Sequence, residues 1–201
     1  DNNLSGSDDY DAIYAVDIHG EETLVITNSI LYTPGGSEIE VIFGNGISGE
    51  ILYSDINGGE GAVQTSDGES LTVYENNIAE DPLFVDSVNG DYNLVASSPC
   101  INSGDPEFEL DPDGTTADMG AYPYLNDYSG PEWYVSTDGS DISGDGSLEN
   151  PFASIEPAFN FANSNDNIHV SAGTYYENLI WPSDKIGLQL IGADRETTII
   201  D

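Results

Sequence analysis

Three short runs in the first eighty residues repeat one pattern: Val25-Ile26-Thr27-Asn28-Ser29-Ile30, Ile51-Leu52-Tyr53-Ser54-Asp55-Ile56 and Val73-Tyr74-Glu75-Asn76-Asn77-Ile78. Each reads apolar, two residues, Asn or Ser, a small polar residue, then Ile. The closing isoleucines stand 26 residues apart (30 to 56) and then 22 apart (56 to 78). A repeat of this length, with a buried position at each end of the run, suits one coil of a solenoid. Each coil lays its aliphatics over those of the next, and the polar position turns the chain at a corner. An antiparallel sandwich is the alternative; it would show tight hairpins and cleaner alternation.

The rest of the chain divides by composition. Residues 1–80 read as β-rich coils separated by Gly, Asn, Asp and Ser clusters, with no helical period. Residues 81–124 are rich in Pro, Gly and Asp and read as an irregular closing segment that winds over the end of a solenoid. Residues 125–132 read as a linker. Residues 133–201 open a new unit with the strand Trp133-Tyr134-Val135-Ser136 and a Gly/Asp/Ser loop to Gly146. Ser154 is placed to cap a short helix, with Pro157 tolerated in its first turn. Ile155, Ala158, Phe159 and Ala162 form its apolar stripe. Strands are predicted around residues 168–172, 179–181, 188–191 and 198–200.

Charge narrows the partners. The chain carries 38 acidic and 2 basic residues, a formal net charge of -36, and its only cations are Lys185 and Arg195. A phosphate backbone is gripped by clustered Lys and Arg, so nucleic acid is excluded as a partner. An anionic membrane surface repels the chain for the same reason. No apolar run approaches 18 residues, so direct membrane insertion is not expected. Self-repulsion at this density calls for cations that screen or bridge the carboxylates, which points to an extracellular or cell-surface setting. A hydrophobic fraction of 38% with 10% aromatics, gathered in short dense runs, favours a fold over disorder. Cys100 is the single cysteine, so there is no internal disulfide framework. The chain starts at Asp1 without a methionine and reads as a mature or excised piece of something longer.

Two groups of motifs resemble the right-handed parallel β-helix proteins of the pectin-lyase-like superfamily. Asp81-Pro82-Leu83-Phe84-Val85-Asp86, Gly90-Asp91-Tyr92, Ser98-Pro99-Cys100-Ile101 and Asp118-Met119-Gly120-Ala121-Tyr122 look like the closing end of secreted bacterial β-helix proteins, the part often labelled a choice-of-anchor domain. Tyr134-Val135-Ser136, Asp138-Gly139-Ser140-Asp141, Gly144-Asp145-Gly146, Asn150-Pro151-Phe152 and Ala172-Gly173-Thr174-Tyr175 look like the opening of another. The resemblance implies an all-β, right-handed parallel β-helix in which one short helix caps the first coil of the second unit and Gly173-Thr174-Tyr175 turns into the next coil. The order is inverted, closing segment first. Both ends of the chain are therefore expected at coil faces without a partner in the chain, and such faces are templates for association. The expected contact is head-to-tail between copies: Thr198, Ile199 and Ile200 against the strand holding Ala12, Tyr14 and Val16. The corresponding function is a filament subunit or a repeat of a giant surface protein. The alternative is an adhesin or carbohydrate-binding stalk that contacts glycans.

Catalysis finds little footing in the residues. A polysaccharide lyase on this fold would need a Lys or Arg base, and Lys185 and Arg195 read as surface charges. A glycoside hydrolase would need paired carboxylates on one face; Asp17, Asp55 and Glu75 lie on or beside the repeat without a distinguishing pattern. No catalytic residue is assigned. His19 reads as a turn residue and His169 as the outward residue of a strand, neither with a second metal ligand nearby. Cys100 reads as a buried small hydrophobe. Calcium is the one cofactor considered: Asp111, Asp113 and Asp118 in one loop, and Asp138, Asp141 and Asp145 in another, offer hard oxygen ligands.

Overall fold

A computed structural model describes residues 11–16, 22–32, 39–44, 47–65 and 70–201, with backbone alone for 11–16, 22, 39–44, 47, 64–65 and 70. Its first part is three stacked coils. Strands β1 (Asp11–Val16), β2 (Glu22–Thr27) and β3 (Ile30–Leu31) make the first. Strands β4 (Ile39–Gly44), β5 (Ile47–Leu52) and β6 (Asp55–Ile56) make the second. Strands β7 (Val63–Thr65) and β8 (Ser70–Glu75), with a bridge at Ile78, make the third. Every strand pairs in parallel with its counterpart one coil away, giving the sheets β1-β4-β7, β2-β5-β8 and β3-β6. Among the described residues this is a parallel β-solenoid.

Alternate residues of a strand face opposite sides, so one inward column runs through Ile26, Ile51 and Tyr74. Ile51 and Ile56 of the middle coil are fully buried, whereas Leu24, Ile26, Leu31, Val63, Leu71 and Tyr74 pack on them only half-buried. Among the described coils of this part, the middle one has a coil on both sides. The corner between the second and third strands of each coil is a left-handed residue: Asn28 (φ 46), Tyr53 (φ 46) and Asn76 (φ 57). Asn tolerates that region better than other residues with a Cβ. The next position carries a ladder of side chains. Ser29 N–H donates to Ser54 Oγ at 3.2 Å and Ser54 N–H to Asn77 Oδ1 at 2.9 Å, steps of 25 and 23 residues. The expected steps of 26 and 22 are therefore corrected: the middle copy of the repeat is displaced by one residue. Tyr53, not Ser54, occupies the Asn corner, and Asp55 stands where Ile30 and Ile78 stand. What the position selects is a backbone angle, and a tyrosine gives no sign of it in sequence.

The segment 81–124 starts with an antiparallel hairpin, β9 (Phe84–Asp86) and β10 (Asp91–Leu94). It lies along the flank of the first three coils. Leu94, Cys100, Ile101 and Met119 pack against Ile30, Tyr53 and Ile78, one from each coil. Gly120 N–H donates to Asn28 O at 2.9 Å and Asp105 N–H to Asn28 Oδ1 at 2.7 Å, back at the first coil.

The second unit contains β11 (Glu132–Val135), α1 (Glu156–Phe161), β12 (Asn167–Val170), β13 (Gly173–Tyr175), β14 (Gln189–Gly192) and β15 (Thr198–Ile200). Sheets β11-β12-β14 and β13-β15 are again parallel. Trp133 and Ile168 are fully buried in one inward column, with Leu190 half-buried at its outer end. The helix closes the inner end of this stack, and its stripe of Ile155, Ala158, Phe159 and Ala162 is buried as the spacing predicts. Loop 138–146 wraps Phe152: Gly146 has φ +81, and a Cβ there would lie 2.5 Å from the Phe152 ring and 2.7 Å from that of Trp133.

Four local expectations are overturned. Ser154 does not cap the helix; Glu177 does, its carboxylate accepting from Ile155 N–H (2.9 and 2.8 Å) and Glu156 N–H (3.0 Å). Residues 179–181 are not a strand, while Gly173–Tyr175, expected as a turn, pairs with β15. Lys185 is not a free surface charge: it donates to Asn160 O at 2.9 Å and to Phe159 O, the carbonyls at the end of the helix. Both caps come from a coil about twenty residues further on, beyond the reach of local pattern.

The two solenoid parts are joined by hydrogen bonds as well as by the chain. Ala96 N–H donates to Asp141 O at 2.7 Å, Tyr124 Oη to Gly144 O at 3.0 Å and Asn126 Nδ2 to Asp145 O at 3.1 Å. Tyr124 and Phe161 contact the buried clusters on both sides.

Candidate functional site

The coil ends are the first candidate surface. β1 and β2 lie at one edge of their sheets and β14 and β15 at the edge of theirs among the described residues. Ala12, Tyr14 and Val16 sit on β1 opposite Glu40, Ile42 and Gly44. Thr198, Ile199 and Ile200 sit on β15 opposite Gly173, Thr174 and Tyr175. Burial decays toward these edges: Tyr175 is 3% exposed, while Ile200, stacked on it, is 45% and Ile199 48%. Ile191 is also exposed, and Arg195, in the β14–β15 turn, is exposed beside Glu196. An edge strand of this kind offers free N–H and C=O groups next to uncovered aliphatics.

The two Asp-rich loops have their carboxylates tied into the chain. Asp118 accepts from Asn102 N–H and Tyr124 N–H, each at 2.7 Å, and Asp111 from Asp118 N–H at 3.0 Å. Asp113 accepts from the Thr115 hydroxyl at 2.7 Å and from Asn126 N–H at 3.0 Å. Burial pushes the Asp118 carboxyl up to about 6 against those two bonds, with the charges of Asp111 and Asp113 adding to the rise. Burial also raises Asp111. Asp113 is held below the ordinary range, because its hydrogen bonds outweigh its burial. In the second loop, Asp141 binds the Ala153 and Ser154 N–H groups and the Ser154 hydroxyl, and Asp145 binds Ser147 N–H. Asp138 is exposed. Among the described residues no group of three or more His, Cys, Asp or Glu side chains is disposed around a common metal position.

The remaining chemical candidates are dispersed. Asp55 is fully buried, accepts from Glu80 N–H at 3.2 Å, and receives the Cys100 thiol at 3.5 Å. Burial raises the carboxyl, the amide and thiol bonds oppose it, and the Glu80 and Asp81 charges add to it. Cys100 is fully buried, as expected, and burial with the Asp55 charge lifts its thiol far above the ordinary range. Both groups are sealed from solvent. Glu75 is exposed on β8; Asp17 and His19 lie outside the described residues. His169 faces outward on β12, stacked on Tyr134 (5.2 Å) with Nε2 2.5 Å from Glu132 Oε2. That bond, with one from Asn167, holds Glu132 below its usual range. Burial lowers Lys185, and Asp184 and Asp166 oppose the shift.

Sequence reasoning missed one feature entirely. A groove of about 560 Å³ lies between the first coil (Asn28 to Tyr32), the β9–β10 hairpin (Phe84, Tyr92, Leu94) and residues 119–122. No family model matches the chain, and no curated protein or solved structure compared with it does either.

Proposed function

We propose that this chain is an extracellular structural module, a subunit or repeat of a filament or giant surface protein in which solenoid ends stack head-to-tail. The observation that supports this reading is the decay of burial from inner to outer coils. Ile51 is fully buried between two coils, while the equivalent Ile26 and Tyr74 are half-buried and Ile200 is 45% exposed. In a solenoid each coil is stabilised mainly by its two neighbours, so a further coil laid on the outer faces completes them. The same contact arises whether copies are separate or joined by a peptide bond. The acidity, -36 over the chain, favours a medium rich in screening cations.

Electron microscopy and light scattering over a range of concentrations in salt test the reading. Rods or a ladder of oligomers are expected, and Ile200→Asp should disperse them. Uniform particles of 21.5 kDa at every concentration would overturn it. Calcium in the Asp-rich loops has a separate test: an unfolding midpoint unmoved by added calcium or chelator removes it. The adhesin reading draws on the exposed rings of Tyr92, Tyr122 and Trp181, and a glycan array separates it from a purely structural role.

A further inference from the structure

The groove beside the first coil joins four aromatic residues to an aliphatic wall. Tyr32, Phe84, Tyr92 and Tyr122 line it, with Ile30, Leu94 and Met119 beneath. Phe84 meets Tyr32 at 70° and Tyr92 at 87°, with ring centroids 6.4 and 5.3 Å apart. The rings thus turn a corner instead of stacking as one block. Tyr92 and Tyr122 are about half exposed, an unusual state for large rings beside an apolar wall.

Charge selects among the ligands such a groove could take. No Lys or Arg occurs in residues 1–184, so no basic side chain of this chain before Lys185 can serve an anion there. The Asp81 carboxylate interacts with the Tyr32 hydroxyl at one end. Aromatic faces carry negative quadrupole potential and attract cations, most effectively those with a soft, weakly hydrated surface. An inorganic cation would keep its water and gain little from the aliphatic wall. An alkylated ammonium can shed its hydration onto both the rings and the wall.

We propose that this groove binds a small organic cation, a quaternary ammonium group. Choline supplies such a group, a trimethylammonium head for the rings and the apolar wall. The site lies on the flank of the solenoid, and its lining residues include none of β1, β14 or β15.

Choline chloride is the probe, titrated into the intact chain at constant ionic strength with potassium chloride as the balancing salt. Proton NMR should show the choline methyl signal moving upfield and saturating, with a Kd on the order of 1 mM. Tyr92→Leu keeps an apolar side chain at an exposed position and removes the π face; it should weaken binding about fivefold or more. Trp181→Leu, an exposed ring on the second unit, should leave it unchanged. Tetramethylammonium, which presents the same methylated head, should also bind saturably and compete with choline. The proposal is overturned if the shift is linear and unsaturable, which marks diffuse counter-ion attraction. It is also overturned if Tyr92→Leu binds as well as the parent, or if cellobiose saturates the same Tyr92 and Tyr122 resonances while choline does not, which makes the groove a neutral-sugar site.

Discussion

The coils of residues 22–78 and those of residues 132–200 use the same parallel ladders but are closed by different means. The second stack is sealed at its inner end by a six-residue helix and a wrapped loop, which surround Trp133, Phe152 and Phe159 with other buried apolar groups. The first has no α-helix among the described residues, only a short 3-10 helix at Gly59–Ala62. Its flank is covered by the segment 81–124, its fully buried hydrophobic side chains among the described residues are Ile51 and Ile56, and its corners are held by a Ser/Asn ladder. A capped end can bury large aromatic rings because every side of the ring meets protein. An uncapped coil buries its side chains only in proportion to the coils stacked on it.

Substitutions at the two ends should expose that difference. Trp133→Ala should cost about 3–5 kcal/mol, since it opens a large cavity and leaves Asp166 Oδ2 without the indole donor at 2.9 Å. Gly146→Ala should cost about 2–4 kcal/mol, combining a positive φ with overpacking against Phe152 and Trp133. In the first stack, Ile51→Ala should cost about 2–4 kcal/mol and Ile26→Ala distinctly less, because Ile26 is already half-exposed. Chemical denaturation of the four variants measures this. Equal costs for Ile26 and Ile51 would break the link between stacking and burial.

Smaller effects concern charge. Asp118 titrates near 6 when folded and near 3.9 when unfolded, so between those values the folded chain holds the extra proton. Its contribution to stability is full below about 3.9 and lost as pH rises through about 6. Asp55 and Asp111, both raised, act in the same sense, and Asp113, lowered, opposes them only at more acid pH. The melting temperature should therefore rise as pH falls from 7 to about 5, the reverse of ordinary acid denaturation. A flat or falling profile in differential scanning fluorimetry contradicts the assignment. Asp55→Asn keeps the acceptor for Glu80 N–H and removes the buried charge, so it should raise stability at pH 7 and flatten that profile. The smallest change is Asn76→Ala at an exposed left-handed corner, which should cost about 1 kcal/mol, with Asn76→Gly near neutral.

Much of the architecture was legible in the residues. The spaced runs at 25–30, 51–56 and 73–78 marked coils, and the 155–162 stripe marked the helix and its buried face. Cys100 and His169 fell where their neighbours implied, inside and outside. What was missed shares one physical cause. The one-residue shift at Tyr53, the Glu177 and Lys185 caps, and the strand at Gly173–Tyr175 are each decided by a partner on the adjacent coil, about 22–26 residues away. The aromatic groove draws on three separated stretches, and although each holds a run noted in the sequence, nothing local brings the three together.

By itself, then, the sequence pointed to the coils of a solenoid, a short helix and a surface of one charge, because periodicity and composition are local properties of the chain. Only the tertiary structure decided which residue turns each corner, which carboxylates are consumed by backbone amides, and where four aromatic residues gather. Those outcomes depend on the register between coils, and register is set by packing and hydrogen bonds that no single segment contains.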